Sequence, residues 1–347
     1  MGKRRSIHLG KRLYVKNLFR LGILCVTVFF FVLALEKFPT RALAEEPIVL
    51  KGVTGLPRPV PFNSDVPTFI KMVEERSKGR LKIQWMGGPE VIKTFDQADA
   101  LRKGIIDVLL YHPRSYFKPL MPSAIAGSLS PYPAWEERKV GLFDLWHKIF
   151  REEVNAEYLG RMHSKVNFRI YTNAKIEKIE DFKGKRFRTM PLYIPFFKAL
   201  GISAVTMPPA EVYTAMERGV VDGFMWPELG IVALGWNEVT KYAIDPPVPF
   251  QIEPATVVNL DKFNSLPKDL QALLKDTFKD LEYIASDNLL KKIDAEWRIA
   301  QKSGMRRIEL PPADAKKYQT IAIEETWKEV LKDAPKYGPE FKKLCVK

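Results

Sequence analysis

The chain has 347 residues, of which 46% are apolar and 28% charged. That is ordinary globular composition, so wholesale disorder and collagen-like repeats are excluded, and two Cys exclude a disulfide-rich scaffold. Lys and Arg outnumber Asp and Glu by 55 to 41, a net charge of +14 that invites a nucleic-acid or anionic-membrane partner until the charges are located.

Many of the positive charges sit at the front. Lys3, Arg4, Arg5, Lys11, Arg12, Lys16 and Arg20 form a basic head, followed by a 15-residue apolar run from Leu21 to Leu35 and the small-residue site Ala42-Leu43-Ala44. These are the three parts of a secretory signal peptide, and the run is short of the ~20 residues of a bilayer span. The alternative is an uncleaved N-terminal anchor. Cys25 lies early in the run, behind bulky Leu24, which is the wrong place for lipidation. Cleavage after Ala44 leaves 303 residues with 46 basic and 40 acidic side chains, a net +6 spread along the chain. Nucleic acid then becomes an unnecessary partner. The one remaining Cys, Cys345, has no internal disulfide mate, and no later segment reaches 18 consecutive apolar residues. The expectation is a soluble protein exported to the periplasm.

The body alternates strand-like and helical patterns. Ile48 to Thr54 reads as a strand, and Val66, Phe69, Ile70 and Val73 follow the i, i+3, i+4, i+7 spacing of a helix stopped by Ser77-Lys78-Gly79. Leu81 to Trp85 is a strand, Phe95 to Leu101 a helix ending at Gly104, and Ile105 to Tyr111 a buried strand. After a helical stretch near Glu136 to Tyr158 the pattern restarts. Phe168 to Thr172, Lys185 to Thr189, Ala204 to Met207 and Val220 to Phe224 read as strands, with helices at Pro195 to Leu200 and Ala210 to Arg218. Such alternation predicts parallel pairing with crossover helices, in two successive α/β blocks. From Pro267 to Ser303 there is no Gly, and no Pro after Pro267 itself, and Leu270, Leu273, Leu274, Phe278, Leu281, Ile284 and Leu289 keep helical spacing. Ser265 is the expected cap, Pro267 suits the first turn and Gly304 the stop. One long helix bracing two lobes and two shorter ones are both open.

Several chemistries lack their residues. Once His8 leaves with the signal, His112, His147 and His163 remain, with no i, i+4 pair and no nearby Cys, so a zinc site has no support. G-x-S-x-G, G-x-x-x-x-G-K and G-x-G-x-x-G do not occur. Carboxylates are plentiful, but nothing singles out a glycosidase pair.

The most informative stretch is Asp181-Phe-Lys-Gly-Lys-Arg-Phe-Arg-Thr-Met-Pro191. In a strand, Arg186 and Arg188 share one face and Phe187 takes the other. Arg188 lies at the strand's end, just before Met190-Pro191 turns the chain. Parallel α/β sheets bind ligands at the carboxyl ends of their strands, where a guanidinium can grip a carboxylate with two parallel hydrogen bonds. On pattern alone, an Arg paired to a neighbouring Asp or Glu, or a solvated one, fits equally well.

The run "DFKGKRFRTMP…FFKALGISAVTMPPAEVYTAMERGVVDGFMWP", residues 181–227, resembles the core signature of solute-binding proteins of tripartite ATP-independent periplasmic (TRAP) transporters. "FIKMVEERSKGRLKIQWMGGPEV" and "DQADALRKGIIDV" resemble segments of that family's first lobe, and the likeness extends over residues 47 to about 330. The resemblance implies a two-lobed α/β periplasmic binding protein of type II-like form, with a long helix spanning both lobes. Its lobes would be residues 45–165 with about 254–292, and residues 166–253 with about 293–347. It implies a receptor that closes on a small organic acid and delivers it to the integral membrane subunits of a TRAP permease, without catalysis or cofactor. An exported two-lobed enzyme and a ligand-sensing ectodomain are the rival classes.

Arg188 matches the family's principal carboxylate-binding Arg, and Arg169 a second basic position used by some members. A structural salt bridge is the other reading of Arg169. Where metal-bridged keto-acid binders carry Glu-Trp, this chain has Met225-Trp226, so the metal-ligating carboxylate is missing and no metal is expected. Trp226 offers a flat apolar wall, or ordinary core packing. Met190 follows the Arg188 strand and joins the candidate set. Gly87 and Gly88 after the second strand permit close backbone approach or a tight turn. Glu90 beside them is a hydrogen-bond acceptor for a ligand, or a solvated turn carboxylate. Tyr111 and Tyr116 line the same cleft, or belong to core or surface.

Overall fold

The computed structural model describes residues 46–346, so the basic head, the apolar run and the Ala42–Ala44 site lie outside the described residues. In chain order the first elements are β1 (Ile48–Thr54), α1 (Val66–Arg76), β2 (Leu81–Gly87), α2 (Gln97–Arg102), β3 (Val108–Pro113), α3 (Ala134–Glu137), α4 (Leu142–Val154) and β4 (Ala156–Arg161). Then follow β5 (Asn167–Thr172), β6 (Arg186–Thr189), α5 (Ile194–Ala199), β7 (Ser203–Thr206), α6 (Val212–Glu217), β8 (Gly223–Pro227), β9 (Tyr242–Asp245) and β10 (Val248–Gln251). The chain ends with β11 (Pro254–Asn259), α7 (Leu260–Ser265), α8 (Lys268–Lys302), β12 (Arg306–Glu309), α9 (Pro312–Asp333) and α10 (Gly338–Cys345).

The strands form two mixed sheets. The first has five strands in the order β2-β1-β3-β11-β4; the second has seven, β12-β9-β5-β8-β6-β7 with β10 also on β5. β1 pairs parallel with β2 and β3, and β6 pairs parallel with β7 and β8, as strand–helix–strand units require. The remaining partners correct a wholly parallel expectation. β11 runs antiparallel between β3 and β4, and β5 runs antiparallel to β8, β9 and β10.

Local chemistry accounts for where the elements begin and end. In α1, Val66, Phe69 and Val73 are buried on one face, and Lys78 and Gly79 leave the helix at positive φ of 54° and 78°. Gly104, at φ 71°, ends the second helical region, but the following strand starts three residues later than its apolar run. Ile105 is 66% exposed because Lys51 and Asp107 tie the turn down: Asp107 N–H donates to Lys51 O and Lys51 N–H to the Asp107 carboxylate. The expected helical stretch 136–158 contains α3 and α4, but its last residues are β4. Asn155 stops α4 in the left-handed conformation, and β4 is buried on both faces, so it shows no alternation that distinguishes it from a buried helix.

α8 is one continuous helix of 35 residues, about 52 Å long at ~1.5 Å per residue. Its expected cap is different. Ser265 Oγ donates to Lys262 O inside the short α7, and Pro267 precedes α8 in extended conformation without a side-chain cap. The N-terminal part of α8 packs on the first sheet's layer: Phe278 meets Phe69 edge-on at 5.3 Å, and Asn288 donates to Asp65 at 3.0 Å. Its C-terminal part serves the second, with Glu296 accepting from Val232 N–H at 3.1 Å and Trp297 lying under Arg307 at 4.2 Å. The chain also crosses between sheets at 162–166 and 252–253. The last helix, α10, returns to the first sheet's side, where Phe341 packs on Trp146 of α4 at 4.3 Å.

Glu282 fixes α8 to that first layer. It is 1% exposed, receives Arg138 Nε and Nη2 at 2.8 Å each, and accepts from Arg161 N–H at 3.3 Å. A Cβ on Gly160, at φ 150°, would overlap Glu282 Oε1, which explains the glycine inside β4. Breaking a buried pair strands a charge, whereas the Arg76–Asp280 pair on the same helix is 39% and 54% exposed. Glu282→Ala is therefore expected to cost about 3–5 kcal/mol of unfolding free energy and Asp280→Ala less than about 1 kcal/mol. Equal losses in urea denaturation would contradict this assignment.

Candidate functional site

β6 places two arginines on one face with opposite fates. Arg186, at the exposed start, pairs with Asp222 at 3.3 Å, while Phe187 on the other face packs against Phe182 and Phe197. Arg188 is fully buried. Its Nε donates to Met207 O at 3.0 Å, which fixes the plane of the guanidinium; Nη1 and Nη2 have no well-formed hydrogen bond and interact only weakly with the Tyr116 and Tyr193 hydroxyls. Its Cζ stands 5.7 Å from the Trp226 ring. A buried guanidinium with two unpaired nitrogens is costly in the free protein and strongly favours an incoming anion.

Beside Arg188 lies a narrow cavity, with about 350 Å³ of empty space when its open mouth is included. The first sheet contributes residues at the carboxyl ends of its parallel strands: Leu56 beyond β1, Tyr111 and Pro113 ending β3, and Tyr116 in the turn that follows. The second contributes Met190 beyond β6, Tyr193, and Trp226 and Pro227 ending β8, with Phe168 opposite on β5. The crossing segment Ile252-Glu253-Pro254 closes one side. Phe62 joins the two halves, stacking on Tyr111 at 6.1 Å and meeting Trp226 edge-on at 6.3 Å. Trp226 is backed by Trp236 at 4.8 Å, and Tyr193 meets Phe168 at 5.8 Å.

The polar groups of this wall are incompletely used. Trp226 Nε1 and Tyr193 Oη are buried without a well-formed hydrogen bond, like the Arg188 Nη atoms. Burial pushes the Tyr111, Tyr116 and Tyr193 phenols up, so they are neutral; the Arg188 charge and weak hydrogen bonding from it pull Tyr116 and Tyr193 the other way without overcoming burial. Glu253 is 2% exposed, and burial pushes its carboxyl up to about 7, against the opposing pull of the Arg114 charge and of hydrogen bonding from Ser115. Its carboxyl accepts from Ser115 N–H at a long 3.3 Å.

Of the residues singled out from sequence, Tyr111, Tyr116, Met190 and Trp226 line this cavity, and Arg188 contacts its wall. Arg169 does not line it. Its Nε and Nη2 donate to Glu228 at 3.0 and 2.8 Å, and Nη1 donates to the Asp245 carboxylate and to Ile244 O. Burial works against its charge, but the two carboxylates outweigh burial and raise its pKa further. Glu90 is exposed and accepts from Gly88 N–H at 2.7 Å, closing the tight turn after β2, in which a Cβ on Gly88 would collide with Leu56 O. Sequence reasoning missed Phe62, Phe168, Tyr193 and Glu253. For Glu253 a signal existed: a lone carboxylate in the apolar run Phe250-Gln-Ile-Glu-Pro-Ala-Thr-Val-Val258. Among the described residues no group of three or more His, Cys, Asp or Glu is placed to hold a metal ion, and no helix is long and apolar enough to cross a membrane.

A solute-binding protein of Albidiferax ferrireducens is 26% identical over 278 residues, covering 76% of this chain and 80% of that one. A TRAP periplasmic solute-binding protein from Desulfovibrio salexigens, solved with bound orotic acid, superposes with a TM-score of 0.77 at 21% identity over 85% of this chain and 96% of that chain. A Bordetella pertussis extracytoplasmic solute receptor binding pyroglutamic acid gives 0.76 at 18% identity over 86% and 100%. The family model for bacterial extracellular solute-binding proteins, family 7, matches residues 55–333. That match runs through both sheets and includes every cavity residue from Leu56 to Pro254, and the chain belongs to this family of solute-binding proteins.

Proposed function

We propose that this chain is a periplasmic receptor that captures a small organic acid between two lobes and hands it to the two integral membrane subunits of a TRAP permease. The observation that carries the reading is Arg188: two unpaired guanidinium nitrogens, fully buried, at the strand ends where two sheets face each other across an aromatic cavity. A carboxylate meeting both nitrogens forms two parallel charge-assisted hydrogen bonds. The net gain is smaller than the sum of contacts, since ligand and site must both be desolvated and ordered. The acids named for the two structural relatives, orotic and pyroglutamic acid, are ring carboxylates, each carrying the group that Arg188 is placed to take.

The reading includes export by the N-terminal segment, removed near Ala44, and binding without turnover. It assigns one lobe to residues 45–165 with about 254–292 and the other to 166–253 with about 293–337; the packing of Phe341 on Trp146 supports counting α10 with the first. Phe62 bridges Tyr111 of the first sheet and Trp226 of the second, so a ligand enters only when the lobes part. The crossings at 162–166 and 252–253 and the continuous α8 are the hinge of that motion.

Three outcomes test the reading. Arg188→Ala removes the anchor and a costly buried charge, so it should fold at least as well while losing about 2–5 kcal/mol of acid binding, roughly 30-fold to several-thousand-fold. Calorimetric titration showing unchanged affinity would overturn the assignment. Arg169→Met strands Glu228 and Asp245; thermal melting should show a clear loss of stability while affinity for the acid stays within about threefold, because the side chain serves the scaffold. The third concerns pH. The folded state holds the Glu253 proton more tightly than the unfolded chain, whose carboxyl titrates near 4.5. Stability associated with this group is therefore full below pH 4.5 and falls as pH rises through about 7, by about 3 kcal/mol in all. Urea unfolding between pH 5 and 8 should show this decline in the wild type and a flatter profile in Glu253→Gln; parallel profiles would refute it.

A further inference from the structure

We propose that Glu253 is a second recognition group of the cavity, accepting a hydrogen bond from a hydroxyl, amide N–H or amine on the acid that Arg188 holds, and rejecting acids that carry a second carboxylate. This rests on the carboxylate-anchoring role of Arg188.

The placement of Glu253 is rigid. It lies on the crossing between β10 and β11, its backbone carbonyl accepts from Arg114 N–H at 3.0 Å, and Pro254 starts β11 directly after it. A carboxyl group has about four acceptor positions. Here, at 2% exposure, its hydrogen bonds from the chain come from Arg114 and Ser115: a long one from Ser115 N–H at 3.3 Å and weaker ones from the Ser115 hydroxyl and Arg114 N–H. The unused acceptor capacity borders the cavity.

Glu253 lines the cavity, and Arg188 stands behind its Trp226 wall. The phenols of Tyr116 and Tyr193 lie in the electrostatic field of both, with opposite sign. A small acid gripped by the guanidinium is therefore within reach of the Glu253 carboxyl. Of the other wall atoms without a full partner, Arg188 Nη1 and Nη2 and Trp226 Nε1 are donors that serve acceptors on the ligand, and the neutral Tyr193 hydroxyl can donate or accept. Glu253 carries the only carboxyl among the residues lining the cavity, which makes it the strongest acceptor there for a ligand donor. Above about pH 7, where Glu253 is ionised, a second ligand carboxylate brought against it faces repulsion in a dry site, where such a mismatch is severe, and the titrations are therefore run at pH 8.

The test uses two matched sets titrated calorimetrically into the purified receptor: benzoate with 3-hydroxybenzoate, 4-hydroxybenzoate and isophthalate, and cyclopentanecarboxylate with pyroglutamate. In the wild type, a donor-bearing acid of at least one set should bind tenfold or more tighter than its parent, and isophthalate no tighter than benzoate. Glu253→Leu should bring parent and donor-bearing acid within threefold. Glu253→Gln, which keeps an acceptor oxygen without the charge, should retain the donor preference and admit isophthalate at least tenfold better than the wild type does. If Glu253→Leu fails to fold, the isophthalate gain of Glu253→Gln decides, and its absence overturns the proposal. Parents and donor-bearing acids binding alike in the wild type, or a preference that survives Glu253→Leu, also overturns it while leaving the Arg188 anchor standing. Wild-type binding of none of these acids, with Arg188→Ala indistinguishable, is the failure of the anchor reading itself, and this proposal falls with it.

Discussion

A guanidinium buried without a full set of acceptors is a standing cost, and the architecture around Arg188 keeps that cost in place. Met207 O takes one N–H and fixes the orientation, and the surrounding rings hold the other two nitrogens out of bulk water. Water would satisfy those nitrogens and weaken their preference for a carboxylate. The aromatic wall is thus part of the electrostatics: it keeps the local dielectric low and the donors unsatisfied.

The other buried cations show the contrast. Arg169 meets Glu228 and Asp245, Arg138 meets Glu282, and Arg161 stands 2.9 Å from Glu137. Each of these arginines has a carboxylate within the protein. Arg188 has none, which separates a group that serves binding from groups that serve the scaffold. Glu253 is its counterpart among acids: a buried carboxyl with no ion-pair partner, held by long or weak hydrogen bonds from Arg114 and Ser115 alone.

Two sheets produce this arrangement because each ends its parallel strands toward the same space. β1 and β3 deliver Leu56, Tyr111 and Tyr116, while β6 and β8 deliver Arg188, Met190 and Trp226. The antiparallel members, β5 and β11, bring Phe168 and Pro254 to the same cavity from the opposite direction. α8 then ties the layers together through Glu282 on one side and Glu296 on the other.

Much of this was written locally. Periodicity marked β1, α1, β2, β5 and β6, and 35 residues free of Gly and Pro marked α8, because those features arise from neighbours within a turn or a strand. Elements buried on both faces, such as β4, or short strands carrying Pro, such as β10, lack a period and stayed hidden. In the cavity, the strand-end position of Arg188 could be read directly. Whether an arginine is free or paired could not. Arg169 and Arg188 both sit in strands, yet the carboxylates that occupy Arg169 lie 59 and 76 residues away. Glu253, Tyr193 and Phe62 likewise gain their meaning only where distant segments meet. The sequence by itself determined an α/β chain with an arginine at a strand end. The tertiary structure decided which arginine stays unpaired, because pairing is a property of neighbours that only folding brings together.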